Sequence, residues 1–141
     1  MSFYLDASVL VPLHVEESKS AVLQRWVANA DEPLAISDLA AAEFASAISR
    51  LVRMAEVTAE TAMHVVDDFD RWRIETADMV ENQPVDIRAA ARLVRQPDPK
   101  LLAPDAIHLA TCRRMGLTLV THDGDMAAVA KRLGLAIAIP A

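Results

Sequence analysis

Short apolar runs alternate with longer stretches of helical spacing along this chain, and that alternation restricts the fold more than any other feature. Ser2–Leu5, Pro33–Ser37, Ala77–Val80, Leu117–Thr121 and Leu135–Ile139 read as strands. Between them, Ala7–Val15, Ser18–Ala30, Asp38–Arg53, Thr58–Ile74, Val85–Gln96, Asp105–Met115 and Met126–Leu133 carry helical patterns. Gln96–Pro104 holds three prolines and reads as a loop. Strands separated by helices pair in parallel, and a parallel sheet is covered on both faces. The expectation is an α/β chain, one domain over residues 1–141, around a parallel sheet of four to five strands. Ligands of such sheets bind beyond the carboxyl ends of the strands.

Several function classes are excluded by what the chain lacks. Its three glycines (Gly116, Gly124 and Gly134) stand singly, so neither GxGxxG nor a Walker loop can form. The single cysteine, Cys112, permits no internal disulfide and no cysteine-based zinc cage, and it reads as a small core residue. His14, His64, His108 and His122 show no metal-binding spacing, and no serine sits in a GxSxG context. No apolar run reaches the roughly 18 residues of a membrane span. The first fifteen residues lack a basic leader and carry Asp6 and His14, so a cytoplasmic protein without a membrane partner is expected. Fourteen basic against 20 acidic residues give a formal charge of −6, which argues against coating nucleic acid by bulk charge. Aromatic residues at 4% argue against base-stacking platforms.

Four acids stand out by position. Asp6 closes the first strand, and Asp123 follows the strongest one in Thr121-His122-Asp123. Asp105 opens a helix directly after a proline, and Glu43 lies a turn into the alanine-rich helix after the second strand. All four can reach one sheet edge, where unscreened carboxylates would repel one another. A hard divalent cation such as Mg²⁺ or Mn²⁺ relieves that repulsion, and it keeps open positions for water and phosphate oxygens. Each acid also has an ordinary use. Asp6 can cap the next helix, Asp105 suits a helix first turn, Asp123-Gly124 is a turn pair, and Glu43 can pair with Arg50 seven residues on.

Ser8 and Thr121, each two residues from a candidate acid, could orient carboxylates, and Ser37 ends the second strand. His108, three residues after Asp105, reads as a core or supporting histidine near the site. Asp125 reads as a solvated turn residue. Arg88, Arg92 and Arg95 share one helix face, either an RNA-facing strip or a solvated surface.

The ordered set resembles the PIN-domain ribonucleases, and in length and coverage the VapC toxins of bacterial toxin–antitoxin pairs. The residues that carry the resemblance are Phe3-Tyr-Leu-Asp6-Ala-Ser8, Glu43 in its alanine-rich helix, Asp105-Ala-Ile-His-Leu-Ala110 and Leu119-Val-Thr121-His-Asp123. His122 and Gly124 depart mildly from the family pattern around the last acid. The resemblance implies an α/β/α sandwich with a projecting helical hairpin, Asp38–Arg53 with Thr58–Ile74, that bears the dimer or antitoxin surface. It implies a Mg²⁺- or Mn²⁺-dependent endoribonuclease acting on RNA, a homodimer, and a small DNA-binding antitoxin that blocks the site. By position, Asp6, Glu43, Asp105 and Asp123 would be the catalytic metal ligands, with Ser8 and Thr121 supporting. Two alternatives are a flavodoxin-like signalling domain with an acidic pocket and a catalytically silent PIN-like interaction protein. A cation caged by four carboxylates also changes the meaning of the acid excess, since it would bring positive charge to the one place where a phosphate must approach.

Overall fold

The computed structural model describes residues 1–141. The elements in chain order are β1 (Phe3–Leu5), α1 (Ala7–His14), α2 (Ser20–Ala28), β2 (Leu34–Ser37), α3 (Asp38–Arg53), α4 (Ala59–Thr76), β3 (Ala77–Val80), α5 (Pro84–Leu93), α6 (Ala103–Met115), β4 (Thr118–Val120), α7 (Gly124–Arg132) and β5 (Ile137–Ala138). All five strands pair in parallel in the order β3–β2–β1–β4–β5. This is the α/β sheet expected from the alternation. The order is not the 2-1-3-4-5 of flavodoxin-like folds, so the flavodoxin-like alternative does not describe this chain.

Side chains alternate across the sheet with the period of a strand. Leu5, Leu34, Ile36 and Val120 point to one face and pack with Val9, Leu10, Leu23, Phe44, Ile48 and Phe69 from α1–α4. Tyr4, Ala35 and Leu119 point to the other and pack with Leu109 and Cys112 of α6 and Met126 and Val129 of α7. The result is three layers, helices on both sides of the sheet. Each large apolar side chain fully buried this way contributes about 1.5–3 kcal/mol. At the base of the α3–α4 hairpin, the Phe44 and Phe69 rings stack at 4.0 Å. The His14 ring meets Phe44, Phe69 and Trp72 edge-on at 5.5, 5.2 and 4.8 Å. Burial there holds its pKa below the usual imidazole range, and its Nδ1 bonds the Leu10 carbonyl.

Local chemistry moves some boundaries from their expected places. α2 begins at Ser20 because the Ser20 hydroxyl accepts the Glu17 amide in a preceding turn, leaving Ser18 outside. α5 ends at Leu93, and α6 begins at Ala103 with Pro104 in its first turn, where a missing N–H costs nothing. Gly116 closes α6 at φ 66°, a left-handed conformation suited to glycine.

The winding positions the site. From β1 the chain runs outward to β2 and β3, then returns to lay β4 on the opposite side of β1. The reversal leaves a crevice between the carboxyl ends of β1 and β4, the usual ligand position in such sheets. Leu5 pairs with Val120, so the next residues, Asp6 and Thr121, face each other across it.

Candidate active site

Asp6 follows β1 directly and is 3% exposed. It occupies the N-cap position of α1, but its side chain makes no capping bond. Ser8 Oγ donates to Oδ1 at 2.6 Å and Thr121 Oγ1 donates to Oδ2 at 2.6 Å. The same hydroxyls accept backbone amides from the loop after β4: His122 N–H to Ser8 at 2.9 Å, and Asp123 N–H to Thr121 at 2.9 Å. Ser8 and Thr121 thus hold one carboxylate and one loop at once. Burial raises the Asp6 carboxyl above its usual range, and the two hydroxyl bonds oppose that shift.

Asp123 does cap a helix, since its Oδ1 accepts the Met126 amide of α7 at 3.0 Å. That bond leaves its second oxygen without a protein partner. Asp105 lies in the first turn of α6. Burial pushes its pKa up to about 6, followed by the neighbouring charges of Asp123 and Glu43, with His108 opposing and Asp6 adding. The four acids therefore lie within electrostatic reach of one another, although they come from residues 6, 43, 105 and 123.

Glu43 does not pair with Arg50. Its Oε1 is hydrogen-bonded to Nε2 of His108, a ring only 1% exposed. On the other side of that ring, Nδ1 lies 2.5 Å from Tyr4 Oη, which lies 2.6 Å from Ser37 Oγ. Arg50 forms no ion pair and lines a cavity of about 570 Å³ shared with Glu43, Ala7 and Val11. No lysine or arginine is ion-paired to any of the four acids. No three of the acid, histidine and cysteine side chains already stand close enough to enclose an ion. The carboxylates ring a common edge rather than form a closed cage.

Three supporting residues escaped the sequence reading. Asn82, just beyond β3, accepts the Leu39 amide in the first turn of α3 at 3.1 Å and donates to Thr111 at 2.9 Å. Asp86, 1% exposed, takes two bonds from Arg114 at 2.8 and 2.9 Å, one from Thr111 and one from the Gln83 amide. Burial alone would raise the Asp86 carboxyl, but those bonds and the Arg114 charge together hold it below the usual range. The signal available in the sequence was Gln83-Pro84-Val85-Asp86, which closes as a capping box. Tyr4 stands in the sequence only as part of the run Phe3-Tyr-Leu-Asp6. The remaining candidates take ordinary places. Asp125 is exposed, His122 Nε2 bonds the Pro140 carbonyl at 2.9 Å, and Cys112 is buried with its thiol pushed up by burial.

A doubly wound α/β/α sheet with an uncompensated group of carboxylates at its switch point is the class that fold and site define. The family model of the PIN domain matches residues 3–132, and the chain belongs to that family. It is 31% identical over 142 residues to Ribonuclease VapC46 of Mycobacterium tuberculosis, covering 99% of this chain and 98% of that protein. Ribonuclease VapC35 of the same species is 30% identical over 143 residues, covering 97% and 96%. Among solved structures, Mycobacterium tuberculosis VapC20, described as a sarcin–ricin loop cleaving toxin, superposes with a TM-score of 0.72 at 18% identity. That match covers 90% of this chain and 94% of VapC20. DNA-bound VapBC from Salmonella typhimurium gives 0.71 at 14% identity, covering 100% and 99%. The parallel five-stranded sheet with helices on both faces is the fold this chain shares with them. No helix of the chain is long and apolar enough to cross a membrane.

Proposed function

We propose that this chain is a divalent-metal-dependent endoribonuclease that hydrolyses RNA phosphodiester bonds, the toxin of a VapBC-type toxin–antitoxin pair. One observation carries the reading: Asp6, Glu43, Asp105 and Asp123 lie within electrostatic reach of one another around one sheet edge with no lysine or arginine ion-paired to them. The donor set is all oxygen and anionic, which fits Mg²⁺ or Mn²⁺ and not zinc. Such an ion supplies the Lewis acidity that phosphodiester hydrolysis needs.

The chain's own residues prepare that site. Ser8 and Thr121 fix both oxygens of Asp6, so that carboxylate cannot swing. The helix cap turns Asp123 so that one oxygen is engaged and the other is available. His108 steers Glu43 toward the same edge from the opposite side. Burial first, and then the charges of Asp123 and Glu43, raise the Asp105 pKa to about 6, and a bound cation would favour its deprotonated form.

Charge along the chain suits a polyanionic substrate better than the total suggests. Residues 1–81 carry six basic and fifteen acidic side chains, while residues 82–141 carry eight and five. The basic part forms α5, α6 and α7, where Arg92, Arg113 and Arg132 line a cavity of about 700 Å³. RNA is expected to approach over these helices, and a basic segment of the antitoxin over the acidic α1–α4 side. A homodimer in the cytoplasm completes the reading.

The test is RNA cleavage by the purified protein with Mn²⁺ and with EDTA, beside Asp6→Asn and Asp105→Asn. Cleavage only by wild type, and only with the cation, is expected. Equal cleavage by all three proteins, or undiminished cleavage in EDTA, overturns the reading.

A further inference from the structure

Four hydrogen bonds run from the first turn of α3 back to a residue further along the same helix. The Ala40 amide lies 3.1 Å from Ser37 Oγ, Ser37 Oγ 2.6 Å from Tyr4 Oη, Tyr4 Oη 2.5 Å from His108 Nδ1, and His108 Nε2 contacts Glu43 Oε1. Tyr4, Ser37 and His108 are each 0–1% exposed, so no solvent is available to complete a missing bond.

Within these four bonds, one arrangement of hydrogens leaves no member unpaired. An amide N–H can only donate, so Ser37 Oγ accepts from Ala40 at one end. A carboxylate can only accept, so His108 Nε2 carries a hydrogen at the other. If Nδ1 also carried one, it would donate to Tyr4, and Tyr4 would donate to Ser37. The Ser37 hydroxyl would then receive two donors, and its own hydrogen would have no acceptor within a buried site. With Nδ1 bare, Ser37 donates to Tyr4, Tyr4 donates to Nδ1, and no hydrogen is left over.

We infer that Ser37 and Tyr4 are positioning residues: their hydroxyl chain holds the His108 ring with Nδ1 accepting from Tyr4 and Nε2 donating to Glu43, and this aims the Glu43 carboxylate at the acidic edge. The inference rests on the proposed function only in giving Glu43 a metal to bind. The chain also ties two ends of one helix segment together. Ser37 caps α3 and, through Tyr4 and His108, sets the orientation of a side chain six residues further on. Partners behind a ligand commonly matter by about 10–100-fold in metal affinity.

The experiment is nitrogen-15 NMR of the histidine rings in the ion-free wild-type protein, with Mn²⁺ titration of wild type and Tyr4→Phe. The expected result is a His108 ring protonated at Nε2 and bare at Nδ1. In Tyr4→Phe the Nδ1 resonance should move toward that of an unbonded ring nitrogen. Mn²⁺ affinity should drop about 10–100-fold, while the thermal midpoint falls only modestly, by what two unpaired buried groups cost. A hydrogen on His108 Nδ1 in the wild-type protein overturns the inference, and so does unchanged Mn²⁺ affinity in Tyr4→Phe. Absence of Mn²⁺ binding by wild type would count against the proposed function, and the ring tautomer would still decide the hydrogen-bond chain.

Discussion

Thr121 Oγ1 donates to Asp6 Oδ2 at 2.6 Å across the crevice where the sheet changes winding direction. The two residues are 115 apart in sequence, yet they follow the paired residues Leu5 and Val120 by one position each. Sheet register alone brings the hydroxyl to the carboxylate. Thr121 also accepts the Asp123 amide at 2.9 Å, so a single side chain sets the relation between two of the four acids.

Thr121→Val keeps the shape of that side chain and removes its hydrogen bonding. Asp6 then loses the donor on one oxygen, and the Asp123 amide loses its acceptor. RNA cleavage and Mn²⁺ affinity should each drop about 10–100-fold. Leaving these buried groups unpaired should also lower stability by about 1–3 kcal/mol. Cleavage rates, calorimetric titration and urea denaturation measure the three effects. Activity equal to wild type would show that the Thr121 bond to Asp6 serves packing alone.

The raised Asp105 pKa makes a prediction about stability without cation. A carboxyl near pKa 6 in the folded chain and about 3.9 in the unfolded chain binds its proton more tightly when folded. Folding is therefore favoured below about pH 4 by this group, and the advantage is lost as pH rises through 6. Discounted for partial exposure, the loss is about 1–2 kcal/mol. In EDTA, wild type should lose thermal midpoint between pH 4 and 7 relative to Asp105→Asn, which lacks this term. Mn²⁺ at pH 7 should restore midpoint in wild type and not in the variant. Identical pH profiles for the two proteins in EDTA would refute the assigned burial and repulsion.

Three of the four candidate acids stood out because the chain marks their places locally, a strand end for Asp6 and Asp123 and a helix start after proline for Asp105, while Glu43 stood out only as an acid inside an alanine-rich helix. The start of α3 was legible for the same reason, Ser37 being a local cap, whereas α4 runs on to Thr76, past the expected Ile74, and meets β3 directly. Partnerships were not legible. Helical spacing offers Arg50 to Glu43, and nothing local says that His108, 65 residues on, will reach it first. That pairing depends on α6 packing against the face to which Tyr4 points, which is a property of the assembled layers. Asp86 was missed for a related reason. Its capping role is local, but Arg114 arrives from the next helix, 28 residues away.

Asp86 and Arg114 join α5 to α6, and their bond predicts a second, opposite pH response. The Asp86 carboxyl is 2% exposed and Arg114 is 28% exposed. Arg114→Ala strands the carboxylate without its fork of donors and should cost about 3 kcal/mol, the lower part of the range for a buried pair. Because the folded pKa of Asp86 is depressed, its contribution is present above about pH 4 and is lost as pH falls further. The variant should therefore differ most from wild type at neutral pH and least in strong acid. Urea midpoints at pH 7 and pH 3 measure this, and an equal deficit at both would show that Arg114 acts by packing.

The basic side of the molecule gives the last prediction. Arg92 on α5 and Arg132 on α7 line the same cavity and form no ion pair, so their charges are free to meet phosphate. Neither lies among the four acids or the residues that hold them. Reversing both, Arg92→Glu with Arg132→Glu, should weaken binding of a structured RNA in EDTA and leave the fold intact. Each lost phosphate contact lowers the slope of log affinity against log salt by about 0.7–0.9, so the pair should flatten it by about 1.5. Cleavage of a very short oligonucleotide, which cannot span from the acidic edge to α5 and α7, should change much less. If the salt slope is unchanged by the double reversal, RNA does not cross this face, and the acidic edge must recruit its substrate from another direction.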